Sequence, residues 1–484
     1  MNLYKDIERE LNRSSIRVDS DIYNLIYVWN SWYRGNVEDF HTYNQKLADG
    51  STVSCDRLTM NMPKKLAEDF AKLLWSEKAE IRLDTDEKTE RLLEILDNKD
   101  NNFGININKL IERGMALGTS AAVEYLDSGK VKIDYLQAQQ IMPFNNSNGA
   151  INGLVTINRF NDGLLDKKLY FTHLTIHQYS EGIYTKLNRL FKSADENALG
   201  DEISFEIMFP EVANPVVIET ENPHFQVFTP NIANNLDYQT PMGLSVFANS
   251  IDRFKAIDMK YDSFTNEFEL GKKMVLVDRT AIKSAKTVVG DQVVDVSYFD
   301  KNNKSFVAIN GMENQPIKEI DFTLRVDEHI NALNAELNYL SSAVGLGQNF
   351  YSFDASGLKT ATEVVSEKSD TFRTKVTHQI ILRDFLFGLV SAVCELAGIQ
   401  QTDINIVFDD SIIEDKNAEI ERGLKLYEKG LIGRKTFLRD YMEYSDEQIE
   451  EEITNSMRDI KTVVELLGSD IIDQEKALEL VFGD

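Results

Sequence analysis

The sequence predicts an α+β fold divided among more than one domain. Three observations carry this reading. The chain has 484 residues, too many for one compact core of ordinary size. Residues 1 to about 130 carry helical apolar spacing, whereas Ala121 to about Phe228 alternates with period two. Two long amphipathic stretches, 243–270 and 324–344, then enclose a segment that reads as strand.

Taken in order, Tyr4 to Leu11 reads as a first helix. A second carries Ile22, Leu25, Ile26, Trp29, Trp32 and Tyr33, and Gly35 stops it. A third is expected over Pro63 to Leu74: Pro63 sits where its missing N–H costs nothing, and Leu66, Phe70, Leu73 and Leu74 recur on one face. Another helix is expected from about Ile107 to Leu117, ending at Gly118. The alternating runs AAVEYLD, KVKIDYL, GLVTINRF, KKLYFTHLTIHQYS and GIYTKLNRL predict antiparallel strands. Asp127-Ser128-Gly129, Asn148-Gly149, Asp162-Gly163 and Glu181-Gly182 supply the turns. Pro210, Pro215, Pro223, Pro230 and Pro241 mark an irregular passage into the first long helix.

That helix has an apolar stripe of Phe247, Ile251, Phe254, Ile257, Tyr261, Phe264 and Phe268. The steps of three and four keep one face turned to a partner along its length, about 42 Å at 1.5 Å per residue. The second long helix repeats the pattern with Ile330, Leu333, Leu337 and Leu340. Its intervening positions, including Asp327, Glu328, Asn334 and Asn338, are polar. Either helix alone is the ordinary signature of a hairpin buried in a domain. The β segment between them, with turns at Gly290-Asp291 and Asn302-Asn303, gives the pair the shape of a stalk with a tip. So few short strands form a marginal core by themselves, which favours pairing with a neighbouring subunit.

Helix returns at Thr360, which forms a capping box with Glu363. Its stripe of Val364, Phe372, Val376, Ile380, Phe385, Leu389 and Val393 runs on to Gly398, and the strand INIVFDD comes next. The tail from Ser411 to Asp484 reads as helical and acidic.

The net charge is -27. Such acidity argues against tight, nonspecific binding of nucleic acid through a broad basic surface. It remains compatible with a wall past which phosphates slide, although composition alone favours plain solubility. The only cysteines, Cys55 and Cys394, permit neither a disulfide framework nor a Cys-based metal motif. The N-terminal MNLYKDIERELNRSS lacks a signal-peptide core, and no run of about 18 apolar residues predicts a membrane span.

Motifs of catalysis are missing. There is no GxxxxGK[ST] phosphate loop and no GxSxG nucleophile setting. Gly345-Leu346-Gly347 comes after a helix and reads as its stop. His173 and His177 would pair for zinc on a helix, but the local alternation is β and the ligand set is incomplete. With 79 Asp and Glu residues, pairs of carboxylates at hydrolase spacing carry almost no information. A carboxylate-dependent polymer hydrolase is therefore the weaker alternative, and no cofactor or metal is expected. The loop Gly345 to Leu358 is more informative, because Gln348, Asn349, Phe350, Tyr351, Ser352, Phe353 and Asp354 mix aromatics with small polar groups between two helices. Either its aromatics tuck back into the core, or the loop projects as a mobile element into a channel.

Several segments in this order resemble the portal proteins of tailed phages, of the siphophage type found in Gram-positive hosts. They are WNSWYRG (29–35), LTMNMPKKLAEDFAKLLWSE (58–77), MGLSVFANSIDRFKAIDMKYDSFTNEFELGKK (242–273) and SGLKTATEVVSEKSDTFRTKV (356–376). The resemblance spans Trp29 to about Asp410. It implies a portal-type architecture: a wing of helices and antiparallel β over 1–241, stem helices at 242–270 and 324–344, a β clip at 271–323 and a tunnel loop at 345–358. A long helix and return strand of the wing would fill 359–408, and an α-helical crown 409–484. It also implies a non-enzymatic ring, usually of twelve copies, at one capsid vertex in the virion, assembled in the host cytoplasm. Double-stranded DNA would pass through it. The terminase large subunit and later a head-completion adaptor would dock on it, beside major capsid and scaffolding proteins. Another structural head protein, an adaptor or capsid-lining subunit, is the nearer alternative.

On this reading Phe247, Ile251, Phe254, Tyr261, Phe264, Leu333, Leu337 and Leu340 pack on a neighbouring subunit, and the polar faces line a water-filled bore. Lys255, Lys260, Lys272 and Lys273 are candidates for weak phosphate contacts. Gln348, Asn349, Phe350, Tyr351, Ser352 and Asp354 are candidates for touching DNA without base specificity.

Overall fold

The computed structural model describes residues 2–47, 49–162, 169–238, 240–272, 274–278, 284–289, 292–297, 306–309, 317–353, 361–400 and 403–408, and in the C-terminal part 423–427, 429–442, 444 and 449. The chain divides into two compact units, Met1–Asp409 and Asp410–Asp484.

The first unit opens with α1 (Asn2–Arg13), α2 (Ile22–Tyr33), the hairpin β1 (Thr42–Lys46) and β2 (Thr52–Asp56), and α3 (Met62–Leu74). After these come β3 (Glu80–Leu83), α4 (Asp86–Leu96) and α5 (Phe103–Leu117). Each long helix buries the face that its apolar spacing marks: Ile22, Ile26 and Trp29 on α2, Leu66, Phe70 and Leu74 on α3, Ile107, Leu110 and Ile111 on α5. The hairpin and α4 were not expected from the sequence. On α4 the Thr85 side chain caps the first turn by accepting from the Lys88 N–H at 3.4 Å.

The strands are β4 (Ser120–Asp127), β5 (Lys130–Gln137), β6 (Ile141–Ser147), β7 (Ala150–Asp162), β8 (Leu169–Ser180), β9 (Ile183–Ser193), β10 (Asp201–Ile203), β11 (Val216–Glu219) and β12 (Phe225–Phe228). They form an antiparallel six-stranded sheet ordered β10-β9-β8-β7-β6, with β11 also on β9, and a second sheet ordered β12-β4-β5. The turn pairs Ser128-Gly129, Asn148-Gly149 and Glu181-Gly182 all take positive φ, as tight two-residue hairpins require. Gly163 lies outside the described residues. Two glycines lock the start of the second sheet to the segment leading into the next helix. A Cβ on Gly118 would lie 2.4 Å from the Gly243 carbonyl oxygen, and one on Gly243 equally close to that of Gly118.

Next come α6 (Ile251–Leu270), β13 (Met274–Asp278), β14 (Ser284–Val289), β15 (Gln292–Ser297), β16 (Phe306–Ile309), β17 (Ile317–Ile320) and α7 (Val326–Ala343). Strand β13 pairs parallel with β16 and antiparallel with β17, while β14 and β15 pair with each other. Helix α6 starts later than expected, because 243–250 is a bent segment with a single 3-10 turn. The long α8 (Ala361–Ala397) and β18 (Ile404–Val407) close the unit, and β18 pairs with β3 more than 300 residues earlier.

The expected α8 stripe is half right. Phe385, Leu389 and Val393 are buried, whereas Val376 and Ile380 face outward with Phe387. The inward face of that half carries polar side chains instead, including Thr371 and His378. Val364 lies among residues whose side chains are outside the description. In the second unit α9 (Arg434–Asp440) stacks Phe437 between Tyr427 and Tyr441, at centroid distances of 5.7 and 5.9 Å.

Candidate functional site: the paired helices and the loop after them

Helices α6 and α7 lie antiparallel, and polar contacts fix their register. Glu336 on α7 accepts from Lys260 Nζ at 2.8 Å and from Arg253 Nη1 at 3.4 Å. At the other end Glu267 on α6 takes a two-pronged bond from Arg325, 3.0 Å from Nε and 2.7 Å from Nη2. Arg325 holds the Glu267 carboxyl down at about 2. Phe264 and the His329 ring pack at 5.3 Å between these two ion pairs.

Most of the apolar stripe of the pair is covered inside the subunit, and Phe268 at its end is exposed. Phe254 is 1% exposed; its ring lies 5.6 Å from Phe247 and 6.1 Å from Trp32 on α2. Phe247, Leu333, Leu337 and Leu340 are equally buried in one continuous core, while Ile251, Tyr261 and Phe264 are half-buried against it. This corrects the expectation that Phe247, Phe254, Leu333, Leu337 and Leu340 pack on a neighbour. Periodicity marks a face as covered but does not say by what. Here Trp32 of α2 covers Phe254 from within the same chain.

Asp258, in the same stripe region, fastens this joint. It is 2% exposed and accepts from three donors: His41 Nε2 at 3.1 Å, Thr59 Oγ1 at 2.9 Å and the Met60 N–H at 2.8 Å. His41 Nδ1 accepts from the Val37 N–H at 2.8 Å, so the ring carries its proton on Nε2, facing the carboxylate. One turn further, Asp262 accepts from the Leu58 N–H at 3.1 Å. The spacing of α6 could not reveal this latch, because its partners lie about 200 residues away in sequence.

The loop after α7 is fastened over its described length, 345–353. Gly345, at φ 79°, ends the helix, and its carbonyl accepts from Thr374 Oγ1 on α8 at 2.5 Å. The Gly347 N–H donates to Thr371 Oγ1 at 3.1 Å. The chain then runs back along α7. The Asn349 N–H donates to Asn338 Oδ1, Tyr351 N–H to Ser341 Oγ and Phe353 N–H to Asn334 Oδ1, at 3.0, 3.2 and 2.9 Å. The polar positions Asn334 and Asn338, expected to line a bore, therefore hold the subunit's own loop.

Tyr351 is 8% exposed, and its hydroxyl donates to Asp69 Oδ2 on α3 at 2.9 Å. Burial, with Asp69 alongside, pushes the phenol well above its usual range. Tyr351 is thus a packing residue, which corrects its placement among DNA-touching side chains, and the mobile loop is not what 345–353 forms. Gln348, Asn349 and Phe350 are exposed, Ser352 is half-buried, and Asp354 lies outside the described residues. Of the lysines, Lys260 is committed to Glu336, Lys255 lies 3.4 Å from Asp252 in an exposed pair, Lys272 is exposed and Lys273 is outside the described residues. The geometry defines an α+β scaffold subunit whose paired helices and following loop are braced against its own N-terminal part.

Comparison with known proteins supplies the family. Residues 15–460 match the phage portal protein family of the SPP1 Gp6-like type. The chain belongs to this family, whose members are structural, non-enzymatic head components located in the virion at the capsid vertex. No curated protein matches the chain. Among solved structures it is similar to a chain in the neck of an empty GTA particle computed with C6 symmetry, at 9% identity and TM-score 0.40, covering 78% of this chain and 88% of that one. It is also similar to a chain in the virion of a native gene transfer agent particle, at 9% identity and TM-score 0.39, covering 79% and 88%. A third is a chain in the neck of the native GTA particle computed with C12 symmetry, at 8% identity and TM-score 0.40, covering 78% and 87%.

Proposed function

We propose that this chain is the portal subunit of a tailed phage of siphophage type, closing with copies of itself, twelve in the usual case, into a ring through which double-stranded DNA enters and leaves the head. The observation that carries the proposal is the portal-family match over 15–460. The ring assembles in the host cytoplasm with scaffolding and major capsid proteins, receives the terminase large subunit during packaging, and later takes a head-completion adaptor. The wing, stem, clip, tunnel-loop and crown boundaries at 241, 270, 323, 344, 358 and 408 belong to this reading.

A closed heterologous ring needs apolar surface that the subunit leaves uncovered. On the stem pair Met259, Phe268 and Tyr339 are exposed, and on α8 Val376, Ile380 and Phe387 lie on one exposed face. These replace the buried stripe as the subunit contacts. Gln348, Asn349 and Phe350, with Lys255 and Lys272, are the exposed candidates for DNA. The test is packaging in vivo with Gln348, Asn349 and Phe350 all changed to Ala. Reduced or unretained genome in heads that carry normal rings supports the reading; unchanged packaging contradicts the loop's role.

A further inference from the structure

The six-stranded sheet turns Val155, Ile157, Leu174 and Ile176 into the main core, and its opposite face is polar. Along it stand Thr156 and Asn158 on β7, His173, Thr175 and His177 on β8, and Lys186 and Asn188 on β9. Same-face positions alternate along a strand, so these seven form one patch by register: Thr156 opposes Thr175, Asn158 opposes His173, Thr175 opposes Asn188, and His177 opposes Lys186. Buried polar surface of this extent costs free energy unless something satisfies it. The patch borders a cavity of about 420 Å³, within the range of small-molecule sites. Tyr125 and Asp134 of the second sheet line one side, and Phe205 and Phe209, stacked at 4.9 Å, close another.

Among the described residues, two donors at this cavity lack acceptors. Asn188 is 3% exposed, and its Oδ1 accepts from His173 Nε2 and Thr175 Oγ1, both at 3.1 Å. With the oxygen end so occupied, the Nδ2 end has no partner among the described residues. The Lys186 ammonium makes no hydrogen bond and no ion-pair contact among the described residues and lies 5.6 Å from the Tyr125 ring. Asp134 lines the same cavity but is engaged by the Tyr125 hydroxyl at 3.2 Å. Burial lowers the Lys186 pKa, with Asp134 opposing, and burial keeps His173 and His177 neutral.

We propose that this wing cavity binds a small oxyanion, whose oxygens accept from Lys186 Nζ and Asn188 Nδ2 while Phe205 and Phe209 exclude water. Such a ligand would satisfy both orphaned donors at once. It would also tie β9 to the 205–214 segment, which Asn214 already clasps through the Asn188 N–H at 2.8 Å and carbonyl at 2.9 Å.

The test is titration of the full-length protein with inorganic phosphate, and separately with succinate, at ionic strength matched by sodium chloride, read by calorimetry and by Tm. The proposal expects saturable heat and a Tm that climbs with ligand logarithmically; whichever arm saturates tells phosphate from carboxylate chemistry. Asn188→Asp keeps the shape and replaces the donor by a carboxylate, and Lys186→Gln removes the charge. Each should weaken binding by about tenfold or more, the effect of one charge-assisted hydrogen bond. If Asn188→Asp fails to fold, Lys186→Gln alone decides. Saturation by neither anion in the wild type, or equal affinity in a folded variant, overturns the proposal.

Discussion

The Tyr351 hydroxyl, in the loop after α7, donates to Asp69 on α3 at 2.9 Å, across 282 residues of sequence. Asp69 also pairs with Lys65 one turn earlier. The bond joins the proposed tunnel loop to α3, so the position of the loop and the stability of the N-terminal helices are coupled. Tyr351→Phe leaves a buried carboxylate short of a donor. It is expected to lower unfolding free energy by about 1–2 kcal/mol and to speed amide exchange at Asn349 and Phe353. An unchanged denaturation midpoint would show that the bond contributes nothing in solution.

The Asp258 latch predicts a larger loss. Asp258→Ala strands the His41, Thr59 and Met60 donors together, and should cost about 3–5 kcal/mol. His41→Ala removes one of the three and should cost less. Chemical denaturation of both variants checks the order; a reversal contradicts the geometry.

Glu124 supplies the pH prediction. It is wholly buried on β4, neither carboxyl oxygen has a hydrogen-bond partner among the described residues, and burial raises its pKa well above 4.5. The folded state keeps it neutral while the unfolded chain ionises, so its contribution is full below pH 4.5 and fades as pH rises toward the raised folded value. Relative to Glu124→Gln, the wild type should lose about 1.4 kcal/mol per pH unit across that window. Parallel pH profiles for the two proteins would refute it.

Folding and assembly should separate by position. Phe254→Asp puts a charge into the contact with Trp32 and Phe247 and should abolish the native fold. Tyr339→Asp and Ile380→Asp alter side chains that are 62% and 55% exposed, so their subunits should keep stability within about 0.5 kcal/mol yet fail to form rings. Thermal melts and light scattering on the three variants decide between these surfaces.

Much of this architecture was legible because local pattern and tertiary role agree. Pro63 at a helix start, Asn148-Gly149 at a hairpin and period two along β7 to β9 each name their own structure. The β1–β2 ribbon leaves no alternation to read, because most of its residues are exposed. Strand β3 is four residues long and is completed only by β18 from the far end of the unit. Helix α4 did leave a signal, Thr85 with Asp86 and Glu87 after it in the first turn. At the candidate site the stripe was visible but its partner was not: burial of Phe254 and Leu337 reads the same whether Trp32 or a second subunit covers them. The loop is illegible for a related reason, since Asn334 and Asn338 look like solvent-facing residues until Phe353 and Asn349 return to bond them.

The most direct measurement is an end-on image of the purified full-length protein, paired with its mass by light scattering. A subunit that leaves Tyr339 and Ile380 uncovered to meet its neighbours should give closed rings with a central hole and a mass several times the 55.2 kDa chain. A monodisperse 55.2 kDa species at high concentration, with no hole in any view, would contradict the proposed conduit.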